Sequence, residues 1–163
     1  MKTFPVVLLF VSLSLSLVAQ KTQEEEISLV LDRWHQAAAD NDQAAYFELI
    51  DSQGIYIGTD SSEHWTRQEF YEWSTPYFAQ MKGWAFEKIN RHVYLSENGN
   101  IAWFDELLSY GKGCLRGSGV LIKRGTEWHI VHYVLSVPVP NDKYKDVMKL
   151  IDEKHFMTED REE

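Results

Sequence analysis

Residues 85–136 read AFEKINRHVYLSENGNIAWFDELLSYGKGCLRGSGVLIKRGTEWHIVHYVLS, and this stretch decides the fold. β-Branched and aromatic residues run through it, broken only at Asn98-Gly99, Gly111-Lys112-Gly113 and Gly125-Thr126. Such short Gly-containing breaks are hairpin turns, so four antiparallel strands are expected near 85–96, 100–111, 114–124 and 126–137. Pro138-Val139-Pro140 ends the sheet, because proline cannot donate to a strand ladder.

Upstream the period changes from two to 3.6. Ile27, Val30, Leu31, Trp34 and Ala38 recur at i, i+3, i+4 and i+7 behind a capping box of Thr22 and Glu25, which predicts an amphipathic first helix. Asn41-Asp42 ends it and opens a shorter helix carrying Tyr46, Phe47, Leu49 and Ile50. Ile55-Tyr56-Ile57 reads as a short strand. Thr66 and Glu69 form a second capping box for a helix through Phe70, Trp73 and Tyr77, kinked at Pro76 and stopped at Gly83. Asn141 or Asp142 is expected to cap a last helix through Tyr144, Val147 and Ile151. Helices followed by a long-stranded meander make an α+β domain, with helices covering a curved sheet.

Residues 1–20 stand apart. Lys2, an apolar stretch from Phe4 to Val18 and the exit Ala19-Gln20 have the order of a secretory signal peptide. At about 15 residues the stretch is shorter than a bilayer span. Cleavage near Ala19-Gln20 is therefore expected, giving a periplasmic or secreted protein with no further membrane attachment. The domain proper is expected over 21–157, with 158–163 an acidic tail.

The whole chain carries 16 Lys and Arg against 25 Asp and Glu, a net charge of −9. This excess of acid argues against a protein that tracks nucleic-acid phosphates. With 44% hydrophobic and 13% aromatic residues, disorder is excluded as well. The single cysteine, Cys114, allows no intrachain disulfide. His129 and His132 are three apart in a strand and point to opposite faces, so they form no chelating pair. Neither a phosphate loop nor a nucleophile elbow occurs, and no metal or cofactor is expected.

Two-residue turns let the sheet register be worked out. An Asn98-Gly99 loop sets His92 opposite Asp105, Tyr94 opposite Trp103 and Arg91 opposite Glu106. A Lys112-Gly113 loop sets Asp105 opposite Val120. A Gly125-Thr126 loop sets Arg116 opposite Leu135, Ser118 opposite Tyr133 and Val120 opposite Val131. One face then holds His92, Tyr94, Trp103, Asp105, Arg116, Ser118 and Tyr133. Aromatic walls with a few convergent polar groups are the make-up of a small-ligand site, so this face is expected to be the concave pocket. His92 and Asp105 are its candidate catalytic pair, since a carboxylate on an imidazole fixes its tautomer and raises its basicity. The first reading of the same pair, ahead of catalysis, is a structural hydrogen bond inside a polar pocket. Tyr94, Trp103, Arg116, Ser118, Tyr133, Trp34 and Asp60 are the candidate ligand-binding residues. The opposite face, with Phe104, Leu108, Ile130 and Val134, is expected to meet a second subunit, leaving Arg91 and Glu106 an ordinary cross-strand charge pair.

Five segments carry a resemblance: Ile57 to Asp60, His92 to Leu95, Ala102 to Glu106, Arg116 to Leu121 and Glu127 to Ser136. Together they are similar to the SnoaL-like branch of the nuclear transport factor 2-like (NTF2-like) superfamily, over about residues 26–140. The resemblance implies a cone-shaped α+β barrel open at one end into a pocket, usually dimeric through the outer face of its sheet. It implies either binding of a small, partly apolar molecule or a cofactor-independent isomerase, dehydratase or cyclase type of chemistry, with a ligand-free structural homodimer as a third reading. Residues 128–136 also resemble the association domain of calmodulin-dependent kinases, whose pocket arginines are replaced here by Asp105 and Leu135.

Overall fold

The computed structural model describes residues 23–151. The expected signal segment, Thr22 of the first capping box and the acidic tail lie outside the described residues. The first helix, α1, covers 23–39. It buries Ile27, Val30, Leu31, Trp34 and Ala38, the stripe its spacing predicts. Asp42 caps α2 (Gln43–Glu48) by accepting from the Ala45 amide, and α2 buries Tyr46 and Phe47. Strand β1 (Ile50–Ile57) follows at once. It is longer than the expected Ile55–Ile57 because Ile50 already pairs with Ile130 before an irregularity at Gly54. A short edge strand, β2 (His64–Thr66), folds back on β1 and was not legible in the sequence.

Helix α3 (Arg67–Ala79) starts with the complete Thr66/Glu69 capping box and runs through Pro76. It stops before Gly83, because Met81 adopts the left-handed conformation, with φ 56°. Gly83 serves another purpose. A Cβ there would collide with the Ala38 carbonyl, and its amide donates to Asn41 Oδ1 at 2.7 Å, fastening this loop to the end of α1.

Strands β3 (Glu87–Leu95), β4 (Ile101–Tyr110), β5 (Gly113–Arg124) and β6 (Glu127–Ser136) form the expected meander. Sheet order is β2-β1-β6-β5-β4-β3, curved and unclosed, with β1 parallel to β6 and every other pair antiparallel. Helix α4 (Tyr144–Leu150) ends the described chain. Its N-cap is Lys143 with no side-chain cap bond, rather than Asn141 or Asp142.

Register departs from expectation in two places. The β4–β5 loop is Gly111-Lys112, with Tyr110 opposite Gly113, so Asp105 faces Ser118 rather than Val120. This is a slip of two residues, and it leaves every side chain on its expected face. The β5–β6 ladder keeps the expected register from Arg124/Glu127 to Leu121/Ile130, then shifts so that Val120 faces His132. Val131 is the extra residue of a bulge, and beyond it each side chain of β6 changes face. Tyr133 and Leu135 thereby join Phe104 and Glu106, while His132 and Val134 join Asp105.

Burial shows which face the helices cover. Ala102, Phe104, Glu106 and Leu108 are buried, and so are Leu121, Trp128, Ile130, Tyr133 and Leu135. The face assigned above to a partner subunit is thus the inner face, sealed by α1 and its neighbours. The assignment of faces is reversed, for a physical reason. The Ala, Phe, Leu and Gly residues of that face give the smooth apolar surface on which the α1 stripe packs. Phe104, Leu108 and Ile130 belong to the chain's own core and cannot form an intersubunit surface; Val134 alone of that set lies on the outer face.

Candidate functional site

Ser28, Asp32 and His35 recur at i, i+4 and i+7 on α1, one side of the helix beside its apolar stripe. Arg91 and Glu106 are directly opposed on β3 and β4. Packing α1 on the sheet brings these five together. Glu106 is 1% exposed, and each of its oxygens is used twice. Oε1 accepts from His35 Nε2 at 2.8 Å and from the Tyr133 hydroxyl at 3.2 Å. Oε2 accepts from Arg91 Nε at 2.9 Å and Nη2 at 2.7 Å. The remaining Arg91 nitrogen, Nη1, donates to Asp32 Oδ1 at 2.7 Å and to the Ser28 carbonyl at 2.9 Å, and Lys88 reaches Asp32 from the surface at 2.8 Å. Charges alternate along the chain of contacts from Lys88 through Asp32 and Arg91 to Glu106.

That alternation sets the protonation states. Burial alone would raise the Glu106 carboxyl, but the hydrogen bond and charge of His35 and the charge of Arg91 hold it below the usual range. Tyr133 is pushed well above its usual value by burial and then by the Glu106 charge, so it remains a phenol that donates. An ionised carboxylate only accepts, so the shared proton of the His35–Glu106 contact sits on His35 Nε2. His35 Nδ1 is the ring nitrogen that Glu106 does not engage, and a buried carboxylate orients its ring, the geometry a general base requires. Gly117 makes room for the cluster: a Cβ there would run into the Tyr133 hydroxyl and lie 2.9 Å from Glu106 Oε1.

Trp34 adjoins this cluster, its ring centroid 5.0 Å from His35, 5.1 Å from Tyr46 and 4.7 Å from Tyr133. It is 1% exposed, and its Nε1 has no hydrogen-bond acceptor among the described residues. Aromatic rings lead outward from it. One row of packed rings passes from Tyr46 to Trp84, which lies 9° from parallel to Trp73, with Tyr77 beside it. Another passes from Tyr133 to Tyr56, stacked on Phe70 at 4.0 Å, and on to Trp65. Trp73 and Tyr77 are partly open to solvent.

The sequence-predicted residues divide between two faces. His92 Nδ1 and Asp105 Oδ1 do meet, at 3.1 Å, but on the outer face, with side chains 58% and 48% exposed. Tyr94 and Trp103 stack beside them, 5.9 Å apart and 17° from parallel. Arg116 and Ser118 share that face. Tyr133 and Trp34 alone reach the inner cluster. Asp60 organises a surface turn, accepting from the Ser62 amide and hydroxyl. His35, Arg91 and Glu106 were missed as site residues. Two opposite charges facing each other within an otherwise apolar strand surface were the available signal, and His35 follows Trp34 on the buried side of α1.

The SnoaL-like domain model matches residues 27–140, well over half of the chain. No functionally curated protein matches it. Among solved structures, an NTF2-like protein of unknown function from Pseudomonas putida is 17% identical with a TM-score of 0.64, covering 76% of this chain and 92% of its own. A proposed dehydratase of the NTF2-like family from Streptomyces avermitilis is 12% identical with a TM-score of 0.64, covering 74% and 99%. A proposed calmodulin-dependent kinase II association domain from Xanthomonas campestris is 19% identical with a TM-score of 0.54, covering 71% and 87%. At such identities the likeness is one of fold. With the family model spanning α1 to the end of the sheet, the chain belongs to the SnoaL-like domain family.

Proposed function

We propose that the domain binds a small, partly apolar molecule on the inner face of its sheet, beside Trp34, His35 and Tyr133. The carrying observation is the buried Trp34 Nε1 without an acceptor. Leaving such a donor unsatisfied costs about 1–3 kcal/mol, which a ligand oxygen or nitrogen would recover. The packed rings that run from Trp34 to the partly open Trp73 and Tyr77 would part around the apolar side of that ligand and stack on it. Native mass spectrometry of gently purified protein tests the reading. A small noncovalent adduct is expected in wild type and is lost in Trp34→Phe, which keeps the ring and removes the donor. A bare wild-type mass from the native source overturns it.

A second reading is favoured by the His35–Glu106 contact: an enzyme of isomerase, dehydratase or cyclase type in which His35 Nδ1 takes a proton from the bound molecule. His35→Gln would then lower turnover by about 10²-fold or more while ligand binding persists. Two further expectations belong with this function. The signal segment directs the protein out of the cytoplasm, and N-terminal sequencing should begin near Gln20. The domain pairs with a second copy through its outer sheet face, supported by the half-exposed Tyr94–Trp103 stack and the exposed Ile101 beside it.

A further inference from the structure

A groove of about 550 Å³ lies between α1 and the β5–β6 hairpin, away from the inner cluster. Its size falls within the usual range for small-ligand sites, about 300–1,000 Å³. The apolar part of its wall is Leu29, Val30, Leu49 and Trp128. Trp128 is 3% exposed, and its Nε1, like that of Trp34, is buried with no acceptor among the described residues. Charges of both signs also line the groove. Glu26 and Arg33 come from the same side of α1, and Glu48 from the end of α2. None of these three forms an ion pair with another of the described residues, whereas the neighbouring Glu127 has His129 at 3.9 Å.

We infer that this groove binds a free short peptide, three residues long, with an apolar middle side chain. Glu26, Arg33 and Glu48 are exposed and hydrated, so a ligand complementary to the groove carries a cation for Glu26, an anion for Arg33, an acceptor for the Trp128 indole and an apolar body between them. Seven helical residues separate Glu26 from Arg33, a rise of about 10 Å. A single amino acid holds its two charges too close together to match that rise. Three extended residues span about 10 Å and place an ammonium and a carboxylate at opposite ends. The peptide's amino end pairs with Glu26, assisted by Glu48, and its carboxylate takes the Arg33 guanidinium, which suits planar carboxylate recognition. A backbone carbonyl of the peptide accepts from Trp128 Nε1. The middle side chain covers Leu29 and Val30.

The test titrates the purified protein with the tripeptide Ala-Leu-Ala in four forms: free, N-acetylated, C-amidated and doubly blocked. Binding is read by calorimetry and by the Trp128 indole N–H resonance, identified by its loss in Trp128→Phe. The free peptide is expected to shift that resonance, and each single block to weaken binding about tenfold, the scale of one charge-assisted hydrogen bond. Arg33→Gln should abolish the difference between acid and amide, and Glu26→Gln the difference between amine and acetamide. These comparisons do not depend on Trp128→Phe folding. Trp34→Phe should leave peptide affinity unchanged, which separates this site from the inner one. Equal affinity for blocked and free peptide, or no indole shift at millimolar peptide, overturns the inference. So does self-association of the wild type that Arg33→Glu abolishes, since a second copy would then fill the groove.

Discussion

His35 on the first helix and Glu106 on the fourth strand, 71 residues apart in sequence, meet at 2.8 Å under the sheet's helical cover. Glu106 touches three partners there: His35, Arg91 and Tyr133. Its replacement by Gln should therefore cost more than any single contact. The Arg91 side chain is 2% exposed, and without Glu106 its charge keeps only Asp32 as a counter-ion. Breaking a buried pair in this way costs about 3–5 kcal/mol. Glu106→Gln should lower the urea midpoint accordingly, whereas Asp32→Asn, at the solvent end of the same chain of charges, should cost about 1 kcal/mol or less.

Acid sensitivity follows from the same carboxylate. Glu106 is held below its ordinary value of 4.5 in the folded chain. A depressed folded value means that the unfolded chain takes up the proton first as pH falls. The stabilisation is therefore complete above about pH 4.5 and is lost as pH drops further, through the folded value. Asp32 and Asp51, depressed through Lys88 with Arg91 and through Arg124 respectively after outweighing the cost of burial, act in the same direction. Urea midpoints should be flat from pH 7 to about pH 5 and fall below it, with a shallower fall in Glu106→Gln. An equal acid slope in the two proteins would remove Glu106 from the account.

Much of this architecture was legible because hairpins obey local rules. The Asn98-Gly99 turn alone fixes His92 opposite Asp105 and Arg91 opposite Glu106, and the structure has both pairs. The helix stripe from Ile27 to Ala38 and the Thr66/Glu69 cap are equally local. What was not legible depends on tertiary contact. Two apolar faces of one sheet compete for the same helices, and alternation alone does not say which one wins. The bulge at Val131 leaves no turn residue to announce it, yet it carries Tyr133 to the inner face. Parallel pairing of β1 with β6 joins segments separated by the whole meander, beyond the reach of any hairpin rule.

Gly117 offers a probe of the inner cluster that touches no charge. A methyl group there must displace the Tyr133 hydroxyl from Glu106. Gly117→Ala should cost about 1–3 kcal/mol, as overpacking does. It should also detach the Tyr133 ring from its place beside Trp34, visible as a change in near-ultraviolet circular dichroism. An unaltered spectrum and melting temperature would mean that the cluster tolerates a gap between Tyr133 and Glu106.

Outer-face chemistry separates two expectations that the exchange of faces pulls apart. His92 and Asp105 are both largely solvated, so Asp105→Asn should change stability by less than about 1 kcal/mol and leave binding at the inner face unaltered. Oligomeric state should respond instead to Trp103, which is 46% exposed and stacked on Tyr94. Light scattering on wild-type protein should give a dimer, and Trp103→Glu a monomer with an unchanged melting temperature. Phe104→Glu, one residue along the same strand, points into the core and should unfold the chain, because it buries a second carboxylate beside Tyr133, two residues from Glu106, with no added cation to balance it. The contrast between adjacent residues is what identifies the face: a monomeric wild type, or a Trp103→Glu protein that remains dimeric, would place the contact between copies elsewhere.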